Sequence, residues 1–478
     1  MGDSPMALAA ESAAFDPAKA YDVLIIGGGN AGLCAAITAR QAGASVLVLE
    51  QAPKALRGGN SRHARNFRVM HDGPSEYLRE VYREEEYWSD LTRVTGGHVD
   101  ERVARVMINE SGRLIPWMMS CGARLELPQT GVLTASRKTA YLLGGGKALL
   151  NAYYRTADRL GVAILYDTEV LALRLDDNSV REIQVLAHDQ PRAVRAKTVV
   201  VSSGSFQANL DWLKLYWGEA AGQFLIRGTA YANGRVLANL LDQDVAPIGN
   251  PASCHFVAVD GRAPKYDGGL VTRIGCMPFG IVVDRDSRRF HDEGANIGPS
   301  RYALWGQLVA QRPSQVAYAI LDSKAETLFQ PSMYPPIRAQ TMAELAGKLE
   351  LDARALIETV RQFNHAVGAG PPGGGAPGAG RTHGITPPKT RCAIPIDTPP
   401  FIGYPLRPGV TFSYLGVKVD ERARVMMTDG RPSTNLFATG AIMAANVIGQ
   451  GYLAGIGMTI GTVFGRIAGS EAARYAGY

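Results

Sequence analysis

The segment 21–50, YDVLIIGGGNAGLCAAITARQAGASVLVLE, constrains this chain more than any other. Residues 23–26 form an unbroken apolar run, as a strand covered on both faces requires. The run enters Gly27-x-Gly29-x-x-Gly32, and residues 31–42 are alanine-rich and suit a helix. Gly43 stops that helix, residues 46–49 read as a second buried strand, and Glu50 ends it. The first two glycines permit a tight turn and a close approach of backbone to a pyrophosphate. The third lets helix pack on strand, and the helix N-terminus offers free N–H groups to phosphate. Glu50 can accept hydrogen bonds from ribose hydroxyls. A lone glycine triplet is a weak signal, but here strand, loop, helix, strand and acid all fall at the required spacing. Glu50 would repel a 2′-phosphate, so FAD or NAD is expected rather than NADP.

A chain of 478 residues has room for two or three domains and a large core. The basic residues are scattered without a long run, which leaves a nucleic-acid role without support. The five cysteines lie far apart, with no CxxC and no iron–sulfur spacing, and suit buried thiols of a cytosolic protein. No His/Cys/Asp cluster has metal-ligand spacing, so no metal site is expected. Electrons must therefore leave through a diffusible acceptor or a separate protein. Residues 1–20 lack the basic and apolar regions of a signal peptide and read as a flexible leader. No apolar run is long enough for a transmembrane helix.

Further along, Gly58-Gly59-Asn60-Ser61 forms a loop able to approach a flat ligand closely. Residues 75–117 read as helical with solvated faces, and 125–141 as a strand-rich excursion. A Gly-rich turn at Gly144 opens a helix over 148–160 and lacks the spacing of a Walker loop. Residues 162–166 read as a strand, 171–186 as a hairpin and 198–201 as another buried strand. From 247 to 394 short strands, prolines and a helical stretch at 341–365 alternate, with a low-complexity loop at 368–380. This reads as an inserted cap over the site. From 395 the pattern returns to the first domain: a strand at 435–439 meets Gly440, and a helix over 458–475 closes the chain. The expected division is a leader (1–20), a first domain (21–246 and 395–478) and a cap (247–394).

These pieces together resemble the fumarate reductase/succinate dehydrogenase flavoprotein superfamily. The matching segments are GGGNAG, Glu50, GGNS, GGGKALLNAYY, YDTEV, VVVSSGSF, RRFHDE and LFATG. GGGKALLNAYYRTADRLGVAILYDTEV and TFSYLGVKVDERARV are similar to tricarballylate dehydrogenases and a related flavoprotein of cobalamin synthesis. The resemblance implies an α/β fold: a Rossmann-type FAD-binding domain, a parallel sheet with helices on both faces plus a small antiparallel sheet, carrying an inserted α+β capping domain. It implies FAD, with Gly27, Gly29, Asn30, Ala31, Gly32 and Glu50 at the ADP half. Gly59, Asn60 and Ser61 would lie near the flavin and ribityl chain, Val170 at the adenine, and Ser203 and Gly204 along the groove. Gly440, Ala441, Gly455 and Ile456 would meet the ribityl and pyrimidine end. Ser61 stands about where succinate dehydrogenases carry the histidine that tethers flavin, so non-covalent FAD is expected. His63, two positions on, is not expected to form a bond either.

The departures bear on the substrate. Phe412 stands where soluble fumarate reductases hold a carboxylate-binding histidine, Tyr452 where they hold an arginine, and Ala441 where a glutamate is usual. Fumarate and succinate are therefore not the expected substrates. Flavin-dependent desaturation needs a base, a hydride acceptor and fixed donors for the enolate-like charge. Tyr452 is the first candidate for donor or proton carrier, with a neighbouring arginine lowering its pKa. By the resemblance Arg301 is a proton carrier, with Glu293 as relay, and Tyr414 joins them as a catalytic candidate. Arg227, Arg273, His255 and Phe412 are the substrate-side candidates. The expected activity is desaturation beside a carboxylate or carbonyl, of tricarballylate type. The alternatives are an ene-reductase, a ketosteroid-type dehydrogenase with an apolar pocket, or a flavin-bearing partner without turnover of its own. The electron acceptor would be a quinone or an iron–sulfur/haem membrane protein. The protein would then be cytoplasmic, or held at the membrane surface through that partner.

Overall fold

The computed structural model describes residues 20–128, 138–187, 189–298, 301–330, 332–368 and 380–478. The expected leader, apart from its last residue, lies outside the described residues, as do the core of the 368–380 loop and the middle of the 125–141 excursion. Strand β1 (Ala20–Ile26), helix α1 (Asn30–Gln41) and strand β2 (Val46–Leu49) form the expected unit. β1 and β2 pair in parallel, Val23 opposite Val46 and Ile26 opposite Leu49. The apolar run of β1 is buried from Tyr21 onward because neighbouring strands flank it and α1 covers one face. Ala163–Leu165 extends the sheet beyond β2, again in parallel.

On its other side β1 pairs with the end of the long strand Gln190–Val201, and Pro432–Ala438 pairs beyond that. Both remote ends of the chain thus share one sheet. The sequence expectation caught only 198–201 of the long strand. Its first half is mostly exposed and pairs antiparallel with the hairpin Thr168–Asp176/Ser179–Ala187, so no apolar run announces it.

The C-terminal helix Ile456–Ala476 lies along α1. Gly461, Gly465 and Gly469 recur once per turn on the contact face. A Cβ there would sit 2.9 Å from Asn30 Nδ2, 2.5 Å from the Ala31 carbonyl and 2.3 Å from the Ala35 carbonyl, so only glycine permits this approach. Asn30 Nδ2 donates to the Met458 carbonyl and Thr462 Oγ1 at 3.2 and 3.0 Å, fixing the two helix starts together.

A second sheet runs in the order Cys254–Asp260, Phe401–Ser413, Ala317–Asp322, Ile281–Val283. Phe401–Ser413 is its hub, pairing also with Ile337–Ala339 and Leu225–Ile226. The expected return to the first domain at 395 therefore falls inside the second sheet, and by sheet membership the crossing comes after Ser413. The alternation of Phe401–Ser413 resembles that of a first-domain strand, and only pairing distinguishes them. Helix Arg301–Ala310 packs Trp305 and Val309 into a core against one face of this sheet. Met342–Lys348 and Ala353–Gly368 pack Leu345, Leu356 and Phe363 into another. The architecture is the expected α/β nucleotide-binding sheet with an α+β cap. Among the described residues, no helix is long and apolar enough to cross a membrane.

Candidate active site

The loop after β1 is shaped by backbone. Gly27 has φ +101°, and a Cβ on it would meet the Ser202 carbonyl at 2.6 Å. A Cβ on Gly32 would lie 2.0 Å from the Gly27 carbonyl, so helix and loop can close only without a side chain there. Gly29, the residue preceding α1, has nothing within 3.6 Å of where its Cβ would be and faces a cavity. Glu50 is buried, and its carboxylate accepts from the N–H groups of Ala52 (2.9 Å), Gly28 and Gly58 (3.2 Å each). Burial pushes its carboxyl pKa up, while these donors pull it back. The Asn30 N–H donates to Ser61 Oγ at 3.1 Å, joining the first loop to the second.

The cavity measures about 800 Å³. Gly27, Gly29, Asn30, Ala31, Glu50, Gly59, Asn60, Ser61, Val170, Ser203, Gly204, Gly440 and Ala441 all line it. An elongated dinucleotide fits this arrangement: a bare glycine at a helix N-terminus for pyrophosphate and a buried acid for ribose. Three expected cofactor residues fall behind the wall instead. Gly32 is spent on the closure just described. Gly455 packs on strand Asn66–Arg68, where its Cβ would meet Arg68 N at 2.8 Å, and Ile456 is fully buried. Ala454, Gly457 and Met458 hold the cavity positions there, one or two residues away, because the helix begins at Ile456.

Arg227, Arg273, Arg301, His255, Phe412 and Tyr452 line the cavity too. His255 stacks on Tyr452, with ring centroids 3.5 Å apart at 8°, and Phe412 lies 5.6 Å from His255. Arg227 Nε donates to the Gly269 carbonyl (3.1 Å) and Nη1 to Thr411 Oγ1 (3.2 Å). Arg301 Nε donates to the Gly275 carbonyl (3.2 Å). The Arg273 guanidinium lies 4.5 Å over the ring of Tyr302. Among the described residues, none of the three arginines is ion-paired with a carboxylate. Burial, with Arg273 as a like-charged neighbour, holds Arg227 and Arg301 below the usual guanidinium range. Burial and Arg227 hold His255 well below the usual imidazole range, so it is neutral at pH 7.

Three expectations need correction. Tyr414 is buried outside the cavity, its hydroxyl donating to the Gly451 carbonyl, so it braces the Tyr452 loop. Glu293 is fully buried in the cap, held by Arg289 Nε (3.0 Å) and the Val282 N–H (2.9 Å), and does not reach the cavity. The Tyr452 phenol is raised, not lowered: burial and Tyr302 outweigh Arg227 and Arg68. A neutral phenol suits a hydrogen-bond donor rather than a base.

Sequence reasoning missed Tyr302, which no motif marks, and the bridge made by Asn60. Asn60 Nδ2 donates to the Thr411 carbonyl, and its Oδ1 accepts from the Thr229 N–H at 2.9 Å, tying the glycine loop to the cap hinge. His63 Nε2 meets Asp267 Oδ1 at 2.7 Å across the same seam.

The chain is 27% identical over 494 residues to the NADH:fumarate oxidoreductase of Klebsiella pneumoniae, covering 99% of this chain and 50% of that one. It spans, then, half the length of that relative. It is 28% identical over 381 residues to the 4-oxocyclohex-2-ene-1-carboxylate 5-dehydrogenase of Sinomonas cyclohexanicum, covering 73% of this chain and 63% of that one. The open conformation of a flavocytochrome c3 fumarate reductase superposes with a TM-score of 0.77 at 20% identity, over 97% of this chain and 79% of that one. The fold expected from the flavoprotein superfamily is thus matched over nearly the whole of the chain. Residues 22–458, from the first strand to the start of the closing helix, match the FAD binding domain family: the chain belongs to that family, and the cofactor it binds is FAD.

Proposed function

We propose that the protein moves a hydride between FAD and a C–C bond beside a carboxylate or carbonyl, in the desaturating direction. The observation that carries the carboxylate reading is the trio Arg227, Arg273 and Arg301, which face the cavity and, among the described residues, have no ion-paired carboxylate. Unpaired arginines in a half-buried site are costly unless an anion completes them. Three of them beside an aromatic wall favour a tricarballylate-type polycarboxylate as first candidate. An apolar ketosteroid pocket would leave them uncompensated.

FAD supplies the two-electron centre that accepts the hydride. The protein's own groups do the rest. The arginines hold the carboxylates and fix which carbon faces the cofactor. The neutral Tyr452 phenol donates to the oxygen on which enolate charge develops. Arg301, its pKa brought down by burial and by Arg273, exchanges the proton. His255 stacks behind Tyr452 and holds its ring in place. A separate acceptor reoxidises the flavin, a quinone or an iron–sulfur/haem protein being the first candidates. The reverse reaction, reduction of an activated alkene, is the second reading, and the fumarate reduction for which the Klebsiella relative is named favours it.

The test is an anaerobic titration of the purified yellow protein with di- and tricarboxylates and ketosteroids. A tricarboxylate should bleach the flavin band, and Arg273→Ala should retain flavin yet need at least roughly 100-fold more substrate. Bleaching by ketosteroids alone would overturn the carboxylate reading. Reoxidation of reduced protein by unsaturated acids, with no reduction by saturated ones, would establish the reverse direction.

A further inference from the structure

Between the segment 54–62, which follows Glu50, and the start of helix Gly145–Arg159 lies a second concavity of about 360 Å³. Four cations line it, Lys54, Arg57, Arg62 and Lys147, with Asn151 and no carboxylate. Arg57 is fixed in place. Its Nη1 donates to the Tyr166 hydroxyl (3.3 Å), Nη2 to Asn151 Oδ1 (3.4 Å), and the guanidinium lies 4.2 Å over the Tyr154 ring. Arg62 Nη1 donates to the Leu56 carbonyl at 2.8 Å, and the nearest carboxylate, Asp267, is 3.8 Å from Nη2. Among the described residues, Lys54, Arg57 and Lys147 form no ion pair.

We infer that this concavity is a second anion site, for a small oxyanion of two or more charges in the pyrophosphate class. Four like charges around one hollow repel one another, and a multiply charged anion converts that repulsion into attraction. Each guanidinium keeps N–H groups beyond the bonds just described for an oxyanion, and two lysines add point charges. The volume sits at the small end of ligand pockets, which suits a compact anion. The site is also wired to the cofactor. Arg62 shares Asp267 with His63, which lines the FAD cavity, so an anion that draws Arg62 outward changes what holds the glycine loop to the cap. None of this depends on the identity of the substrate.

The test is calorimetric titration of the FAD-loaded protein with inorganic pyrophosphate at low and high salt. One saturable equivalent is expected, weakening as salt rises. The double variant Lys54→Glu, Lys147→Glu changes only exposed side chains. It should weaken pyrophosphate binding roughly tenfold or more while keeping its flavin content and turnover. Absence of saturable binding, or binding that the double variant leaves unchanged, would overturn the inference. Parallel loss of FAD in the variant would overturn it too, because the cations would then serve the dinucleotide's own diphosphate.

Discussion

The two ends of the central cavity are specified by different parts of the polypeptide. At the dinucleotide end the determinants are backbone positions: bare glycines, a helix start and one buried acid whose oxygens are met by N–H groups. At the end lined by the three arginines they are side chains, delivered by separate segments: the 227–229 hinge, the 270–275 loop, the head of helix Arg301–Ala310 and the loop before Ile456–Ala476. A backbone device tolerates almost no change where atoms nearly touch. A side-chain device can be rewritten residue by residue. That is how Phe412, Tyr452 and Ala441 come to stand where the resemblance leads one to expect histidine, arginine and glutamate.

The sharpest way to break this contrast is at Gly32. The added Cβ of Gly32→Ala would lie 2.0 Å from the Gly27 carbonyl, and a methyl has no rotamer by which to escape. The clash costs about 3 kcal/mol or more, taken from the cradle itself. Flavin content, read as the ratio of visible to ultraviolet absorbance, should fall to about a tenth or less. A variant with full flavin would show that the cradle is not set by backbone approach.

What could be read from the chain alone follows the same division. The βαβ unit was legible because β1 is apolar from Val23 onward, β2 is apolar throughout and the glycines sit at fixed offsets. The return of the C-terminal segment was legible because its strand enters Gly440 as β1 enters Gly27. Hidden were features that depend on partners remote in sequence. The hub strand Phe401–Ser413 gives no sign of which sheet it joins. Glu293 looks like a relay at the end of RRFHDE, yet Arg289 four residues earlier already holds it. Tyr302 acquires meaning only because Arg273, from another loop, lies over its ring. Asn60 lies in an evident loop, but both partners of its amide, Thr229 and Thr411, come from the cap side.

Tyr452→Phe probes the side-chain end and should have a smaller effect than Gly32→Ala has at the other. Phenylalanine keeps the ring that stacks on His255, so flavin content and fold should not change. Losing one donor to developing charge should lower kcat by about 10²–10³. The pH profile sharpens the point. Because burial raises the Tyr452 phenol above its ordinary range, the neutral donor persists into alkaline solution. Wild-type activity should therefore show no loss from its ionisation up to about pH 10. An alkaline loss near that pH that disappears in Tyr452→Phe would mean the phenol is far more exposed than this geometry allows.

The smallest effect concerns the cores behind the two ends. The first domain buries the carboxylates of Asp22 and Glu50 against N–H donors, whereas the cap buries a lysine, Lys389, near the Arg289–Glu293 pair. Lys389 Nζ donates to the Gly280 carbonyl and lies 5.7 Å from the Phe363 ring centre. Burial lowers its pKa to about 8, with Glu293 opposing that shift. An unfolded chain holds the same proton up to about pH 10.4. Between those values the unfolded state binds more protons than the folded one, so the lysine makes stability rise with pH and stop rising above about 10.4. Lys389→Met removes that dependence and leaves a constant cost from the unpaired Gly280 carbonyl. The stability difference, wild type minus variant, should therefore increase by about 1–3 kcal/mol from pH 7.5 to 10.5 in denaturant titrations. A difference that stays flat would mean that Glu293 holds the Lys389 proton as firmly as water does, and that the charges of the cap core are fully paired.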